Sequence, residues 1–401
     1  MNDAARRMHL AARMAHIEAF EVMEIQTLAR EVEAQGRDVI HLEIGEPDFR
    51  TPQPIVDAAK KALDGKRMDY TSALGLAQLR EAIAGFYRSR YRVDVPASRI
   101  VVTAGSSAAL LLAFGVLLDE GDEVLLTDPS YPCNRHFVRV LGGIPCLVPV
   151  GPASRYQLNA DLARRHWTPA TRIAMVATPS NPTGTMVTPA EIAELAELAR
   201  EKHATLLVDE IYHGLVYDDI GPPSGGRLAH TALEAGEDVF VINSFSKYFQ
   251  MTGWRLGWLV APPGYVREIE KLAQNLFISP SALAQYAALA CFTPETIAIV
   301  EARRDELDRR RRFLIPALES LGFKVPVVPQ GAFYIYADCS TLHPDSFAFA
   351  REILTRAGVA VTPGKDFGHC EPERHIRIAY TQPVARLEEA VRRISKLLEA
   401  R

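Results

Sequence analysis

The stretch Ser244-Phe245-Ser246-Lys247, with Thr252-Gly253-Trp254-Arg255-Leu256-Gly257 close behind it, decides how this chain is read. It follows residues 239–243, Val-Phe-Val-Ile-Asn, an apolar run of strand length. In open α/β sheets, ligands bind in the loops that leave the carboxyl ends of strands. A lysine in such a loop, with hydroxyls one and three residues before it, can form an imine while the hydroxyls bind a phosphate. Arg255 adds a planar, permanently charged fork suited to a phosphate dianion. A solvated lysine between a strand and a helix would carry the same letters, so the surrounding chain has to decide.

Working outward, residues 100–103, 123–127, 173–177 and 205–208 are also apolar and lack polar alternation. Strands of that kind are buried on both faces, as in a parallel sheet with crossover helices. Helical stretches separate them. In the one at 189–202, Thr188 precedes Pro189 and Glu191 in the manner of an N-cap. The alternation predicts an α/β unit over 49–290. Before it, a helix over 15–36, a strand over 39–44 and the turn Gly45-Glu46-Pro47-Asp48 make an N-terminal segment, 1–48. After it the pattern changes to a long charged helix over 294–321, a strand over 332–337 and a helix near 345–357. A strand over 375–380 and a last helix over about 383–400 follow. These predict a smaller α+β unit over 291–401, with the N-terminal helix packed on it.

Composition narrows the partners. The 401 residues carry 45 Lys and Arg against 49 Asp and Glu, a net charge of −4, which gives no electrostatic case for nucleic acid or a membrane surface. No apolar run approaches the ~18–20 residues of a membrane span. Four arginines at 309–312 follow Glu301, Asp305, Glu306 and Asp308 on one helix, which predicts a solvated helix face. Five cysteines, Cys133, Cys146, Cys291, Cys339 and Cys370, are an odd number with no CxxC pair. They predict free thiols in a reducing compartment and no metal site. The basic start, with Arg6, Arg7 and Arg13, has no secretory apolar core and reads as the beginning of a helix, so a cytoplasmic location is expected.

Three further stretches join the lysine loop. Asp209-Glu210-Ile211-Tyr212 closes the run at 205–208. A buried carboxylate there would favour a protonated pyridine ring, an electron sink, and Tyr212 could donate to a phenolate oxygen of the same ring. An aspartate at a strand end also caps helices. Pro179-Ser180-Asn181-Pro182-Thr183-Gly184 follows the run at 173–177. It reads as a turn, or as the source of an Asn181 amide for that oxygen, with a cis bond between Asn181 and Pro182. Ala104-Gly105-Ser106-Ser107 opens an apolar helix whose N-terminal N–H groups could meet an anion. Singly these are weak signals; four in this order are a strong one.

In that order and spacing the chain resembles the class I/II aminotransferases of the pyridoxal 5′-phosphate (PLP) fold type I, similar to aspartate aminotransferase, over roughly residues 38–380. The resemblance implies an α/β fold with a mainly parallel seven-stranded sheet flanked by helices, plus a smaller α+β domain. It makes Lys247 the Schiff-base lysine and places the phosphate among Gly105, Ser106, Ser107, Ser244, Ser246 and Arg255. Asp209 becomes the partner of the pyridine nitrogen, Tyr212 and Asn181 the ligands of O3′, and Tyr131 the residue stacked on the ring. Tyr70 would reach the phosphate of a neighbouring subunit, so a homodimer with composite sites is expected. Arg377 would clamp the substrate α-carboxylate, with Gly45 lending its backbone.

The expected activity is therefore a ping-pong transfer of an amino group between an L-amino acid and a 2-oxo acid. A PLP-dependent C–S lyase would share every cofactor residue. A non-enzymatic sensor of PLP or amino acids would need an attached DNA-binding module, for which residues before 15 and after 400 leave no room. In bacterial aspartate aminotransferases a lysine aligned with Ser107 helps to bind the distal carboxylate. Here Ser107 and the stretch Ala19-Phe20-Glu21-Val22 offer apolar surface and a repelling carboxylate, which predicts that neutral or hydrophobic donors are favoured over aspartate.

Overall fold

The computed structural model describes residues 10–65, 67–217 and 230–401. In chain order the elements begin with α1 (Glu21–Ala34), β1 (Ile40–His41), α2 (Gln53–Gly65), α3 (Ala77–Tyr91), β2 (Ile100–Thr103), α4 (Gly105–Leu117), β3 (Glu123–Asp128), α5 (Cys133–Val140) and β4 (Ile144–Pro149). Next come α6 (Ala160–His166), β5 (Thr171–Ala177), α7 (Pro189–Glu201), β6 (Thr205–Asp209), β7 (Phe240–Ser244), β8 (Gly257–Val260), α8 (Val266–Leu276) and α9 (Ala282–Ala288). The chain continues through α10 (Pro294–Ser320), β9 (Tyr334–Asp338), α11 (Ser346–Glu352), β10 (Val359–Ala360), β11 (Thr362–Pro363), β12 (His375–Ala379) and α12 (Val384–Glu399).

Seven strands form one sheet in the order β2-β8-β7-β6-β5-β3-β4. Neighbours run parallel except β8, which is antiparallel to both β2 and β7. Successive side chains of a strand point to opposite faces. On β5, Ile173 and Met175 enter one apolar cluster, with Leu110 and Phe114 of α4 and Ile269 of α8. Ala174 and Val176 enter the other, with Leu195 and Leu198 of α7. Both faces are covered, which is why the runs lack polar alternation. Thr188 and Glu191 cap α7 reciprocally.

Two strands of this sheet have no expectation in the sequence. β4 lies at the edge and contains Pro145 and Pro149, residues that obscure a strand pattern. β8 is four residues long and opens on Gly257. Its register sets Gly257 beside Thr103 on one side and Ser244 on the other.

Beyond residue 290, β11, β12 and β9 form an antiparallel sheet, and β10 pairs with β1 in parallel. α1 packs against β10 and β11. The N-terminal helix begins later than its sequence suggests: a 3-10 turn covers Ala12–His16 and α1 starts only at Glu21. Its first two N–H groups donate to Asp366, far away in sequence, so the cap is not written beside the helix. The expected strand over 39–44 shrinks to Ile40–His41. The arginine run is only half solvated. Arg310 is buried against Asp48 and Glu306, and Arg311 is buried against Asp308, because consecutive residues of a helix cannot all face water. No single helix among the described residues is long and apolar enough to cross a membrane.

Candidate active site

A cavity of about 340 Å³ opens where β2, β5, β6 and β7 end. Each expected loop reaches it: Ser106 and Ser107 from the start of α4, Asn181 after β5, Asp209 and Tyr212 from the end of β6, and Ser246, Lys247 and Arg255 between β7 and β8. Gly45, Tyr131 and Arg377 line it too.

The Lys247 ammonium donates to the Gly45 carbonyl at 2.8 Å. Withdrawal from water lowers its pKa to about 8, against the opposing pull of Glu46. Asp209 is buried, with Oδ1 accepting the Ile211 N–H at 3.0 Å. Burial raises its pKa to about 6, although the Ile211 N–H and Lys247 both favour the charge. Such a carboxylate gains from any cation brought beside it. The Tyr212 hydroxyl pairs with that of Tyr334 at 2.9 Å, and burial holds its pKa well above the usual tyrosine value.

Arg377 projects from β12 into the buried wall. Its Nη1 donates to Asn181 Oδ1 at 3.0 Å, and Nη2 to the Glu43 carbonyl at 2.5 Å and Thr362 Oγ1 at 3.1 Å. Tyr334 and Phe367 flank the guanidinium at 4.5 and 5.0 Å from their ring centres. Its Nε is buried without a hydrogen-bond partner among the described residues. A fixed cation whose N–H donors are not all committed is suited to a carboxylate ligand.

Around Arg255 the packing excludes side chains. Gly105 has φ +79°, and a Cβ built there would lie 2.6 Å from Arg255 Nη2. The guanidinium donates to Thr252 O at 3.0 Å and sits 3.4 Å from Ser246 Oγ. Gly105 thus keeps open the space between the first turn of α4 and the arginine, a cradle of N–H, hydroxyl and guanidinium donors.

Two residues stand apart from the expected set. Ser244 does not line the cavity. Its buried hydroxyl accepts the Ser246 N–H at 3.1 Å and lies 2.9 Å from Ser246 Oγ and 3.1 Å from the Leu256 carbonyl. It supports Ser246 from behind. Tyr70 is 81 % exposed and contributes nothing to the cavity of its own chain. Glu21, expected as a repelling carboxylate, pairs outward with Lys365 at 2.7 Å, and Asp366 takes its place on the cavity wall. Tyr334, Asp366 and Phe367 have no expectation in the sequence. Tyr334 could have been sought on a buried strand, but nothing marks the other two.

This mainly parallel sheet, with a lysine-bearing cavity at its strand ends, defines a fold type I transferase. The sequence profile of the family described as aminotransferase class I and II matches residues 37–394. The chain is 37 % identical over 384 residues to the valine–pyruvate aminotransferase of Mycobacterium tuberculosis, covering 96 % of this chain and 97 % of that one. It is 34 % identical over 403 residues to the aspartate aminotransferase of Geobacillus stearothermophilus, covering 98 % and 100 %. A crystal structure of an aminotransferase from Mycobacterium tuberculosis superposes with a TM-score of 0.94 at 37 % identity, over 98 % of this chain and 100 % of that one. The chain belongs to the class I and II aminotransferases and is a transaminase, and members of that family are PLP-dependent.

Proposed function

We propose that this transaminase moves the amino group of a neutral or hydrophobic L-amino acid to a 2-oxo acid by a ping-pong route, in the cavity around Lys247. The observation that carries the specificity is the set of cations that line the cavity among the described residues: Lys247, Arg255 and Arg377, each with a separate task. The wall formed by Phe20, Val22, Met23 and Leu110 offers none, and the Asp366 carboxylate lines the cavity beside it, accepting the Val22 N–H. A distal carboxylate buried there without a cation would cost several kcal/mol, whereas an apolar side chain gains ~25 cal/mol per Å² of surface covered.

The residues present fit PLP. Ser106, Ser107, Ser246 and Arg255 would hold its phosphate, with Gly105 keeping the cradle open and Ser244 supporting Ser246. Asp209 would meet the pyridine nitrogen, Tyr212 and Asn181 the phenolic oxygen, and Tyr131 the ring face. When bound, PLP supplies the carbonyl that takes up the amino group and the conjugated ring that acidifies the substrate Cα–H. Lys247 is the residue it would be joined to, and its amine, at about 8, is a base poised near neutral pH to take the proton from Cα and return it. Arg377 orients the donor by its α-carboxylate, so that this proton faces the lysine. The apolar wall excludes water from the same space.

The enzyme we propose is a cytoplasmic homodimer in which Tyr70 completes the neighbouring site, with the chain divided at about residues 48 and 290. The deciding experiment compares kcat/KM for aspartate with that for alanine, leucine and phenylalanine, varying both substrates. Parallel double-reciprocal lines and a preference for the neutral donors are expected. A clear preference for aspartate would remove the specificity reading.

A further inference from the structure

We propose that Asp366 is a positioning residue for donor specificity: by holding the first turn of α1, it sets where the apolar wall of the cavity stands. The inference rests on the reading of this cavity as the donor site.

Phe20, Val22 and Met23, which form much of that wall, lie at the start of α1. The first N–H groups of a helix have no partners within it. Phe20, at the N-cap, is extended (φ −75°, ψ 127°) and carries no acceptor. Asp366 does the capping from a distance, with Oδ1 2.7 Å from the Glu21 nitrogen and Oδ2 3.0 Å from that of Val22. These are charge-assisted bonds to a helix N-terminus, made by a side chain only 4 % exposed. A second tie, Lys365 to Glu21 at 2.7 Å, lies outside them.

The loop that bears Asp366 is itself fixed. The Ser130 N–H donates to the Phe367 carbonyl at 2.9 Å. The Asp128 carboxylate accepts the N–H groups of His369, at 2.9 and 3.0 Å, and Cys370, at 3.3 Å. A Cβ at Gly368 would stand 1.7 Å from Asp128 Oδ1, so only glycine allows this approach. Asp128 and Ser130 open the loop that carries Tyr131, and Phe367 flanks Arg377. Residues 366–370 therefore reference the wall to both Arg377 and the Tyr131 loop. Upstream ties, from Arg135 to Glu18 and from Arg139 to the His16 carbonyl, anchor only the chain before Phe20. A donor whose side chain extends past Cβ meets the wall; alanine barely does.

The test uses the holoenzyme and the variants Asp366→Ala, Phe20→Ala and their double, with Asp366→Asn as the milder change. Two readouts are taken: kcat/KM for alanine, leucine and phenylalanine, and amide hydrogen exchange over residues 20–25. Asp366→Ala should cut kcat/KM for leucine and phenylalanine roughly tenfold, mainly through KM, with a several-fold smaller loss for alanine. Exchange over 20–25 should quicken, Asp366→Asn should fall between, and the double variant should lose little beyond the worse single. An equal loss on all three donors, additive single effects, or unchanged exchange would each overturn the proposal. If the wild-type enzyme uses none of the neutral donors, the functional reading fails instead, and the exchange experiment alone still decides whether Asp366 holds the helix.

Discussion

Adding one methyl group at Gly105 tests the phosphate cradle more sharply than removing any of its ligands. At φ +79° an alanine pays ~1–2 kcal/mol for the left-handed backbone. Its Cβ would lie 2.6 Å from Arg255 Nη2 and 3.1 Å from Cζ, distances that require something to move. The obstacle is the tip of a flexible side chain, so the guanidinium swings aside and the fold survives. The damage then falls on Arg255's aim, held now by Thr252 O and Ser246 Oγ. Losing a charge-assisted contact to phosphate costs ~1.5–3 kcal/mol, which is roughly a 10- to 150-fold weaker Kd for PLP. Titration of the cofactor-free Gly105→Ala protein with PLP, followed by absorbance, reads this directly, alongside a modest drop in Tm. Arg255→Ala should cause a loss of similar size, and combining the two should add little. A Kd within twofold of the wild-type value in Gly105→Ala would refute the argument.

Other outcomes follow from the same geometry. Lys247→Ala should abolish transamination, and borohydride reduction of the wild-type holoenzyme should label Lys247 in peptide mapping and no other lysine. Arg377→Ala should lower kcat/KM for every donor roughly 30- to 5000-fold, the equivalent of the ~2–5 kcal/mol for truncating one side of a buried charge pair; a loss confined to one donor would count against its role as the α-carboxylate clamp. Burial lifts the Asp209 carboxyl from 3.8 to about 6, so within that window the folded cofactor-free protein binds a proton that the unfolded chain does not. Its stability should fall as pH rises through the window, by about 3 kcal/mol in all, and Asp209→Asn should flatten the trend in denaturant midpoints measured from pH 4 to 7. Sedimentation should find a dimer at assay concentration, and Tyr70→Phe should weaken PLP binding without dissociating it.

The central sheet was legible because burial on both faces leaves a plain mark: Ile173 to Val176 must all be apolar when alternate residues feed two separate cores. The cavity loops were legible because lysine, arginine, aspartate and glycine at strand ends are chemically particular. What escaped depends on distant partners. The start of α1 is set by Asp366, so no local signal at residues 15–20 could give it. Ser244 and Ser246 look alike in sequence, and only the path of the loop shows that one faces the cavity and the other faces Ser246 and Leu256. Asp366 and Phe367 occupy a short turn of no distinctive pattern, and their importance comes from Glu21, Val22 and Arg377 arriving around them.

The single reversed strand, β8, has a consequence for how the site is spelled in the chain. Parallel strands deliver to the active edge only the residues that follow them. A strand of opposite direction delivers the residues that precede it, which is why Arg255 arrives beside the loop that follows β7. Gly257 seals that junction: a Cβ there would lie within 3 Å of Asn243 O, Gly105 C and Ser106 N. Lys247 and Arg255 are thereby two points on one closed strap, residues 245–256, pinned at both ends to a single rung of the sheet. The spacing between amine and guanidinium is a matter of strap length, and a one-residue insertion would shift their relative phase while leaving every residue identity intact.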